Sequence, residues 1–298
     1  MLGVMTLDQL RIFVAVAERQ HVTRAAEALN LAQSAASAAI AALEGRHGAK
    51  LFHRIGRGIE LTEAGSLFLT EARAVLARAN AAELVLSELG GLKRGTLLVQ
   101  ASQTIASYWL PRYLVAFRRT HPGIAIALTV GNTAQVAAAV HEGAAELGFV
   151  EGGVYDPALE SRIVARDQLV IVVGPDHDWA RSGNPVTPQR LAESDWVLRE
   201  PGSGTRSVFE AALVGFGIPL SSLRVALELP SNESVRAAVE AGMGATAISA
   251  SAAVPSIEAG LLHAVDLRLP ERNFHVLRHM QRYRSRAADA LLAMIGGC

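Results

Sequence analysis

The stretch AEALNLAQSAASAAIAALEGRHGAKLFHRIGR, residues Ala26–Arg57, decides the fold of the first part of the chain. Its first half is mostly alanine, and its second half is rich in basic residues, with no acid after Glu44. The first half predicts a helix from about Gln33 to Glu44, ended by glycines at 45 and 48 and preceded by a left-handed turn at Asn30. The second half, with glycine at 56 and 58, predicts a short hairpin over residues 50–61.

Two earlier helices are predicted from their starts. Thr6 and Gln9 have the spacing of a capping box, in which each side chain bonds to the backbone of the other residue. Thr23 is of a type that caps helices and predicts the start of the second helix. Three helices followed by a basic hairpin are the parts of a winged helix-turn-helix, whose third helix enters the major groove of DNA.

The composition of the third helix and of the hairpin suits contact with DNA. Small residues allow a close approach to base edges, polar groups at the leading end can donate and accept hydrogen bonds, and basic residues can meet phosphates. Residues 45–59 contain four Lys and Arg residues and no acid. The alternative is an alanine-rich packing helix beside a solvated charge cluster. The residues predicted to contact DNA are Thr23, Gln33, Ser34, Ser37, Lys50, Arg54 and Arg57.

A long helix is predicted after the hairpin, with Thr62 as its cap. Its apolar residues recur at alternating spacings of four and three, which is the 3.5-residue period of a coiled coil. This seam predicts that two chains pair, and the alternative is an amphipathic helix packed on its own domain. The residues predicted to pair are Phe68, Val75, Ala79, Ala82 and Leu86.

From residue 95 onward, short apolar strands alternate with helices. The strands are TLLVQAS, IAIALTVGN, AELGFVEG, LVIVVG and GATAIS, with others near Val225–Leu229 and Phe274–His279. This order predicts a parallel sheet covered by helices.

The polar segments of this second region lie where ligands bind in such folds, beyond the carboxyl ends of the strands. Each could equally be a plain helix cap. The residues predicted to bind a ligand are Ser102, Gln103, Thr104, Asn132, Thr133, Glu151, Gly202, Ser203, Gly204, Thr205, Ser231 and Asn232.

The motif REPGSGTRSVFE, residues 199–210, points to an anion. The free N–H groups at the start of the following helix favour negative charge, and Arg206 could add a positive one. The alternative is an N-cap turn made by Ser203 or Thr205. The motif lacks the GxxxxGK[ST] pattern and the GxSxG pattern, and no nucleophile–base pair accompanies it, so we predict no catalytic residue and no enzyme.

The bulk composition sets further limits. Of 298 residues half are hydrophobic, and 28 Lys and Arg residues balance 28 Asp and Glu residues, so any nucleic-acid site must be local. The single Cys298 allows neither a disulfide nor a cysteine metal cluster, and we predict no metal and no cofactor. No signal peptide and no membrane-spanning run is evident, which predicts a cytoplasmic protein without a membrane partner.

The amino-terminal motifs together resemble those of LysR-type transcriptional regulators. The matching segments are TLDQLRIFVAVAE, TRAAEALNLAQSAAS, the Ile40 to Glu44 pattern, LFHR at 51–54 and LTEAG at 61–65. Two positions depart from the family: Ala32 replaces a capping serine, and Ala38 stands where an arginine is frequent. Losing a bidentate base contact at 38 would cost about 1–3 kcal/mol.

The resemblance implies an α+β multidomain protein. Residues 1–61 would form the winged helix-turn-helix, 62–92 the linker helix, and 93–298 an effector domain similar to two-lobed periplasmic binding proteins. Lobe I would hold about 95–164 and 268–298, and lobe II about 165–264, with crossings near Ala165 and Ala264.

The implied function is a regulator that binds a double-stranded operator as a homodimer assembling to a homotetramer. PGSGTR resembles regulators tied to sulfur assimilation and carbon fixation, which implies a small anionic effector: an oxyanion, a phosphorylated metabolite or a carboxylate. The second hypothesis is an enzyme or a transport-linked binding protein with a helical appendage.

Overall fold

A computed structural model describes residues 5–56, 58–89 and 95–296 of the chain. The chain divides into two compact units, the first ending at Leu89 and the second holding nearly all of the rest. The elements of the first unit are helices α1 (Leu7–Arg19), α2 (Val22–Ala28), α3 (Gln33–His47) and α4 (Glu63–Leu89), and strands β1 (Phe52–Ile55) and β2 (Gly58–Leu61).

Three of the predicted local signals are confirmed in the first unit. Thr6 and Gln9 form the capping box of α1, with both reciprocal hydrogen bonds present. Asn30 has a φ of 55°, so it makes the left-handed turn between α2 and α3. The N–H of Gly65 donates to Thr62 Oγ1 at 2.9 Å, which caps α4.

Two boundaries differ from the prediction. The N-cap of α2 is His21, whose Nδ1 accepts a hydrogen bond from the N–H of Arg24 at 3.4 Å, so Thr23 lies inside the first turn. Helix α3 continues through Gly45 to His47, because one glycine costs a helix only about 1 kcal/mol, and buried Ile40 and Leu43 hold it in place. Gly48, with a φ of 64°, ends it.

The core of the first unit takes in the start of α4. The ring of Phe13 lies 5.4 Å from that of Phe52 and 4.8 Å from that of Phe68, and Ala72 is buried in the same cluster. The first turns of the predicted seam therefore pack within their own unit, as the alternative interpretation held for these positions. Further along α4, Ala79 is half-buried, and Val75, Ala82 and Leu86 are exposed.

The second unit contains nine strands and seven α-helices within residues 95–296. The strands are β3 (Gly95–Ser102), β4 (Ile124–Gly131), β5 (Leu147–Glu151), β6 (Leu159–Val173), β7 (Asp195–Arg199), β8 (Arg224–Leu229), β9 (Ala245–Ser249), β10 (His263–Ala264) and β11 (Glu271–His279). The helices are α5 (Pro111–Thr120), α6 (Thr133–Glu142), α7 (Asp178–Arg181), α8 (Gly204–Gly215), α9 (Asn232–Glu240), α10 (Ala250–Glu258) and α11 (Arg286–Gly296). A π-helical turn (Ile105–Trp109) precedes α5, and 3-10 turns cover Pro188–Glu193 and Leu220–Ser222.

The sheet of the second unit is mixed, not parallel throughout. Strands follow the order β4-β3-β5-β11-β6-β9-β7-β8, with β10 also paired to β6. The pairs of β3 with β4 and β5, and of β7 with β8 and β9, are parallel, whereas β6 and β11 run antiparallel to their neighbours. The two parallel groups are the centres of two lobes, each with its own apolar core.

Strand β6 joins the two lobes. It pairs with β11 from Leu159 to Gln168 and with β9 from Leu169 to Val173. Only the second half of this strand was predicted from the sequence, because its first half is mostly exposed and polar and lacks an apolar alternation. None of the helices within the described residues is both long and apolar enough to cross a membrane.

Candidate functional site

The leading end of α3 presents polar groups on an exposed face. Gln33 Nε2 donates to Ser37 Oγ at 3.1 Å, and Ser34 beside them is exposed. Ala32 occupies the N-cap position and makes no side-chain cap bond. Within the described residues the N–H groups of Gln33 and Ser34 and the side chain of Ser34 have no hydrogen-bond partner, so they are available to an external partner.

The structure brings part of α3, α2 and the hairpin to one concavity. This concavity has a volume of about 270 Å³ and is lined by His21, Val22, Thr23, Gln33, Arg54, Gly56, Gly58 and Ile59. Thr23, Gln33 and Arg54 are thus neighbours, whereas Lys50 lies outside the lining and pairs with Glu44 at 2.7 Å. Arg57, the remaining predicted contact, falls outside the described residues.

Glu44, at the end of α3, holds the hairpin to that helix. Its carboxylate accepts hydrogen bonds from the N–H of Leu51 at 2.9 Å, from the N–H of Phe52 at 3.2 Å and from Lys50 Nζ. Burial alone would raise the pKa of Glu44, but these hydrogen bonds and the charge of Lys50 lower it below its usual value. The carboxylate is therefore stabilised in its charged form and ties the hairpin to the helix.

In the second unit, predicted residues from both lobes meet at the carboxyl ends of the strands, in a region that we call the cleft. Asn232 of lobe II is hydrogen-bonded to two residues of lobe I. Its N–H donates to Gln103 Oε1 at 2.6 Å, and its Nδ2 donates to Thr104 Oγ1 at 3.0 Å. Gln103 Nε2 also donates to Glu233. Residues that follow β3 are therefore hydrogen-bonded to the start of α9.

The turn before α8 lies directly against lobe I. Gly202 has a φ of 87°, and its carbonyl oxygen accepts from the N–H of Ala134 at 3.3 Å. A Cβ placed on Gly204 would lie 2.5 Å from both the carbonyl oxygen of Glu151 and Thr133 Oγ1, so only glycine fits there. Thr133 Oγ1 itself donates to that carbonyl oxygen at 3.2 Å. The start of α8 is thereby fixed beside the end of β5.

The alternative interpretation as helix caps holds for some of the predicted residues. Asn132 Oδ1 accepts from the N–H of Gln135 at 3.0 Å, and Ser231 Oγ accepts from the N–H of Ser234 at 3.0 Å. Ser203 occupies the N-cap position of α8 but makes no side-chain cap bond, and Thr205 bonds to an arginine instead. Helix capping therefore does not account for the buried hydroxyls of Ser203 and Thr205.

Arg206 does not supply charge to the cleft, contrary to the prediction. Its guanidinium pairs with Glu210 at 2.7 Å and with Glu228, and it donates to the carbonyl oxygen of Arg199. The sequence placed it one position after Thr205, but one step along a helix turns a side chain by about 100°. Glu210 on α8 and Glu228 on β8 therefore hold the guanidinium of Arg206 away from the cleft.

Two buried arginines were missed by the sequence analysis. Arg199 donates to both oxygens of Glu200, at 2.8 and 2.9 Å, and to Asn232 Oδ1 at 2.8 Å. Arg272 donates from Nε to Asp167 at 2.7 Å and from NH1 to Thr205 Oγ1 at 3.0 Å. In the sequence, each of these arginines is marked only by its position at the end or start of an otherwise apolar strand. An exposed arginine would occupy the same kind of position.

These two surfaces define a class of protein: a DNA-binding regulator whose second domain binds a small molecule. Residues 7–66 match the family model for a bacterial regulatory helix-turn-helix protein of the lysR family, and residues 90–297 match the model for the LysR substrate binding domain. The chain therefore belongs to the LysR family of transcriptional regulators.

Individual relatives agree with this assignment. The chain is 34% identical to the HTH-type transcriptional regulator YeiE of Escherichia coli (strain K12), over 96% of each chain. It is 33% identical to a probable RuBisCO transcriptional regulator of Cyanidioschyzon merolae, over 95% of each. Its fold is similar to that of the full-length LysR-family regulator CbnR, solved with its target DNA, at a TM-score of 0.67 and 23% identity, covering 98% of this chain and 99% of that one.

We expect Glu44→Ala to release the hairpin from α3, because three hydrogen bonds to a carboxylate are lost. The expected destabilisation of the first unit is about 2 kcal/mol. Hydrogen–deuterium exchange of peptides covering residues 51–61 measures it, and Glu60→Ala, which removes an exposed carboxylate from the same hairpin, is the control. Because the folded-state pKa of Glu44 is lowered, its stabilisation is present above the unfolded pKa and lost as the pH falls through the folded pKa. Unchanged exchange in Glu44→Ala would contradict this role.

Proposed function

We propose that this chain acts in the cytoplasm by binding an operator, with α3 in the major groove and the hairpin against the DNA backbone. The observation that carries the proposal is the concavity lined by Thr23, Gln33 and Arg54, next to the exposed Ser34. Amide and hydroxyl groups can read base edges, and a guanidinium beside them can bind a phosphate or the minor groove.

The effector that controls operator binding is, on this proposal, a small anion bound in the cleft. Ser102, Thr104 and Thr205 are buried hydroxyls from both lobes, and Thr205 lies in the first turn of α8, a helix of 12 residues. Hydroxyl and backbone N–H groups are hydrogen-bond donors, which suit negatively charged oxygens. We assign no catalytic role to this site.

Control follows from the cleft joining two lobes. An anion that contacts hydroxyls of both lobes binds one arrangement of the lobes better than others. Only such a difference in affinity can shift the protein between states with different affinities for DNA.

The assembly that we propose is a dimer paired through α4, which forms a tetramer through the second units. Supporting the first contact, Val75 and Leu86 are exposed along the seam. Supporting the second, an open groove of about 660 Å³ lies between α5 and the edge strand β4 and is lined by apolar side chains together with Arg118 and Arg119. Val225 and Leu227 are exposed on the opposite edge strand, β8. We place the domain boundaries at 1–61, 62–92 and 93–298.

Operator binding is tested with the double variant Ser34→Ala, Arg54→Ala. Each lost contact is expected to cost about 1–3 kcal/mol, so the double variant loses about 2–6 kcal/mol and its affinity falls by roughly one and a half to four orders of magnitude. Fluorescence anisotropy measures it at fixed salt with a duplex that the wild-type protein selects from a random library. Arg11→Ala with Ser222→Ala is the matched control for charge and hydroxyl loss. Unchanged affinity in the Ser34, Arg54 variant would rule out this DNA-contact surface.

Effector binding is tested by thermal unfolding in the presence of small anions: sulfate, sulfite, thiosulfate, phosphate, sugar phosphates and short carboxylates. An anion that binds the folded state raises the melting temperature with its concentration. We expect Ser102→Ala and Thr205→Ala each to reduce that rise while DNA affinity stays unchanged. Ser222→Ala, on an outer turn, is the control. If both variants respond as the wild type does, the ligand lies elsewhere.

Pairing through α4 is tested with Leu86→Lys. A charge at the seam is expected to shift the assembly toward smaller species in sedimentation velocity, because it would be buried between two chains. Leu67→Lys is the control, since Leu67 is equally exposed on α4 but lies off the 3.5-residue seam. An unchanged distribution for Leu86→Lys, or the same loss for Leu67→Lys, would contradict the proposed seam.

A further inference from the structure

We propose that the cleft selects a compact oxyanion that still carries an acidic O–H group, and that Glu151 is the residue that makes this selection. Three buried hydroxyls would donate to the oxygens of the ion, and the Glu151 carboxylate would accept its proton. The inference rests on the proposed function of the cleft as an anion site and narrows the class of anion.

The first hydroxyl is oriented by Arg272. A guanidinium can only donate, so Thr205 Oγ1 must accept the hydrogen bond from Arg272. Arg272 is itself held by Asp167, whose second oxygen accepts from Ser249 Oγ at 2.8 Å. The buried Thr205 makes no other hydrogen bond within the described residues, so its own proton is available to a ligand.

The second hydroxyl is oriented through an intermediate amide. Arg199 donates to Asn232 at 2.8 Å, which identifies the contacted atom as the amide oxygen. The amide nitrogen of Asn232 therefore faces Thr104 and donates to its Oγ1 at 3.0 Å. Thr104, like Thr205, is left with an unused proton within the described part of the chain.

The third hydroxyl belongs to Ser102, at the end of β3. Its Oγ is buried and has no hydrogen-bond partner among the described residues. A buried polar group without a partner is costly, and a ligand oxygen would remove that cost. Ser102 thus joins Thr104 and Thr205 as a donor at the carboxyl ends of the strands.

The arginines of the cleft orient these hydroxyls without adding free positive charge. Both oxygens of Glu200 pair with Arg199, and Asp167 pairs with Arg272. Each guanidinium is therefore balanced by its own carboxylate. Glu233, beside Asn232, is met by hydrogen bonds from Gln103 and Tyr108. A carboxylate of the cleft that lacks such partners has to be met by a hydrogen bond from the ligand.

Glu151 is a carboxylate of this kind. It ends β5, which lies between β3 and β11, and only 2% of its surface is exposed. Within the described residues its carboxylate has neither a hydrogen bond nor an ion pair. A fully ionised anion beside it would face a like charge, whereas an anion with an O–H group can donate to it.

The room beside Glu151 favours a small ion. A Cβ placed on Gly204 would lie 3.1 Å from the Glu151 Cβ, so the start of α8 packs closely against the end of β5. Hydrogen bonds between Gly202 and Ala134, and between Asn232 and Gln103, hold the lobes together around the same region.

The experiment compares sulfate and phosphate, which are tetrahedral ions of similar size, and adds sulfite, which is a smaller pyramidal ion. At neutral pH sulfate is fully ionised, whereas phosphate keeps an O–H group, and sulfite is protonated in part. Titration calorimetry of the full-length protein at constant ionic strength is expected to show phosphate or sulfite binding at least about tenfold more tightly than sulfate, the difference that one hydrogen bond to a charged group makes.

The decisive variant is Glu151→Gln, whose amide can donate to sulfate. We expect it to bind sulfate more tightly than the wild type does, and to lower the preference for the protonated ion by at least about tenfold. Glu151→Asp keeps an acceptor and should keep the order of affinities. Thr205→Val should weaken all ions by a similar factor and leave their ratio unchanged, and Glu160→Gln, an exposed carboxylate, should change nothing.

Several outcomes would overturn the proposal. They are equal affinity of the wild type for sulfate and for the protonated ions, an unchanged ratio in a Glu151→Gln variant that still binds operator DNA, and no binding of any of the three ions. Glycine binding that Glu151→Gln abolishes would also overturn it, because the carboxylate would then pair with an ammonium group. If sulfate binds equally well and alters operator affinity, only the selection by Glu151 fails, and the control of DNA binding by an anion stands.

Discussion

The ion pair between Asp167 and Arg272 is the interaction on which the arrangement of the second unit depends. It lies where β6 and β11 run together between the lobes, and its side chains are almost fully buried. Ser249 binds the aspartate from β9, and Thr205 binds the arginine from the start of α8. A buried ion pair rarely adds much net stability, because desolvation offsets its attraction. Its role here is to fix the positions of β6, β9, β11 and α8, since all four elements are bonded to this one pair of charges.

The first unit uses a partly buried carboxylate for a similar purpose. Glu44 joins α3 to the start of the hairpin through two backbone N–H groups, and Lys50 adds an exposed partner. Backbone bonds fix the register of the hairpin against the helix regardless of the side chains that it carries. Arg54 is therefore held beside Gln33 by hydrogen bonds that involve neither of their side chains.

The sequence predicted those features that depend on local spacing, and missed those that depend on contacts between distant residues. The capping box at Thr6, the turn at Asn30 and the cap at Thr62 follow from spacings of a few residues. The cap at His21 was missed because histidine is an uncommon capping residue. Segments around the cleft were predicted from their residue types, which helix caps and ligand sites share. Arg199 and Arg272 were missed because a single arginine in a strand carries no periodic signal, and only the folded chain shows Asn232 and Thr205 opposite them.

The indirect use of these arginines suits a protein that must respond to its ligand reversibly. A free guanidinium in a closed cleft would attract many anions and would hold them through charge alone. In the anion site proposed above, hydroxyls oriented by a guanidinium would donate in defined directions, and the Glu151 carboxylate would repel anions that have no proton to give. Affinity for any one ion is then modest, and discrimination depends on the hydrogens of the ligand as well as on its charge. In a regulator, this arrangement favours a change of state in response to one class of anion over permanent occupation by the most abundant one.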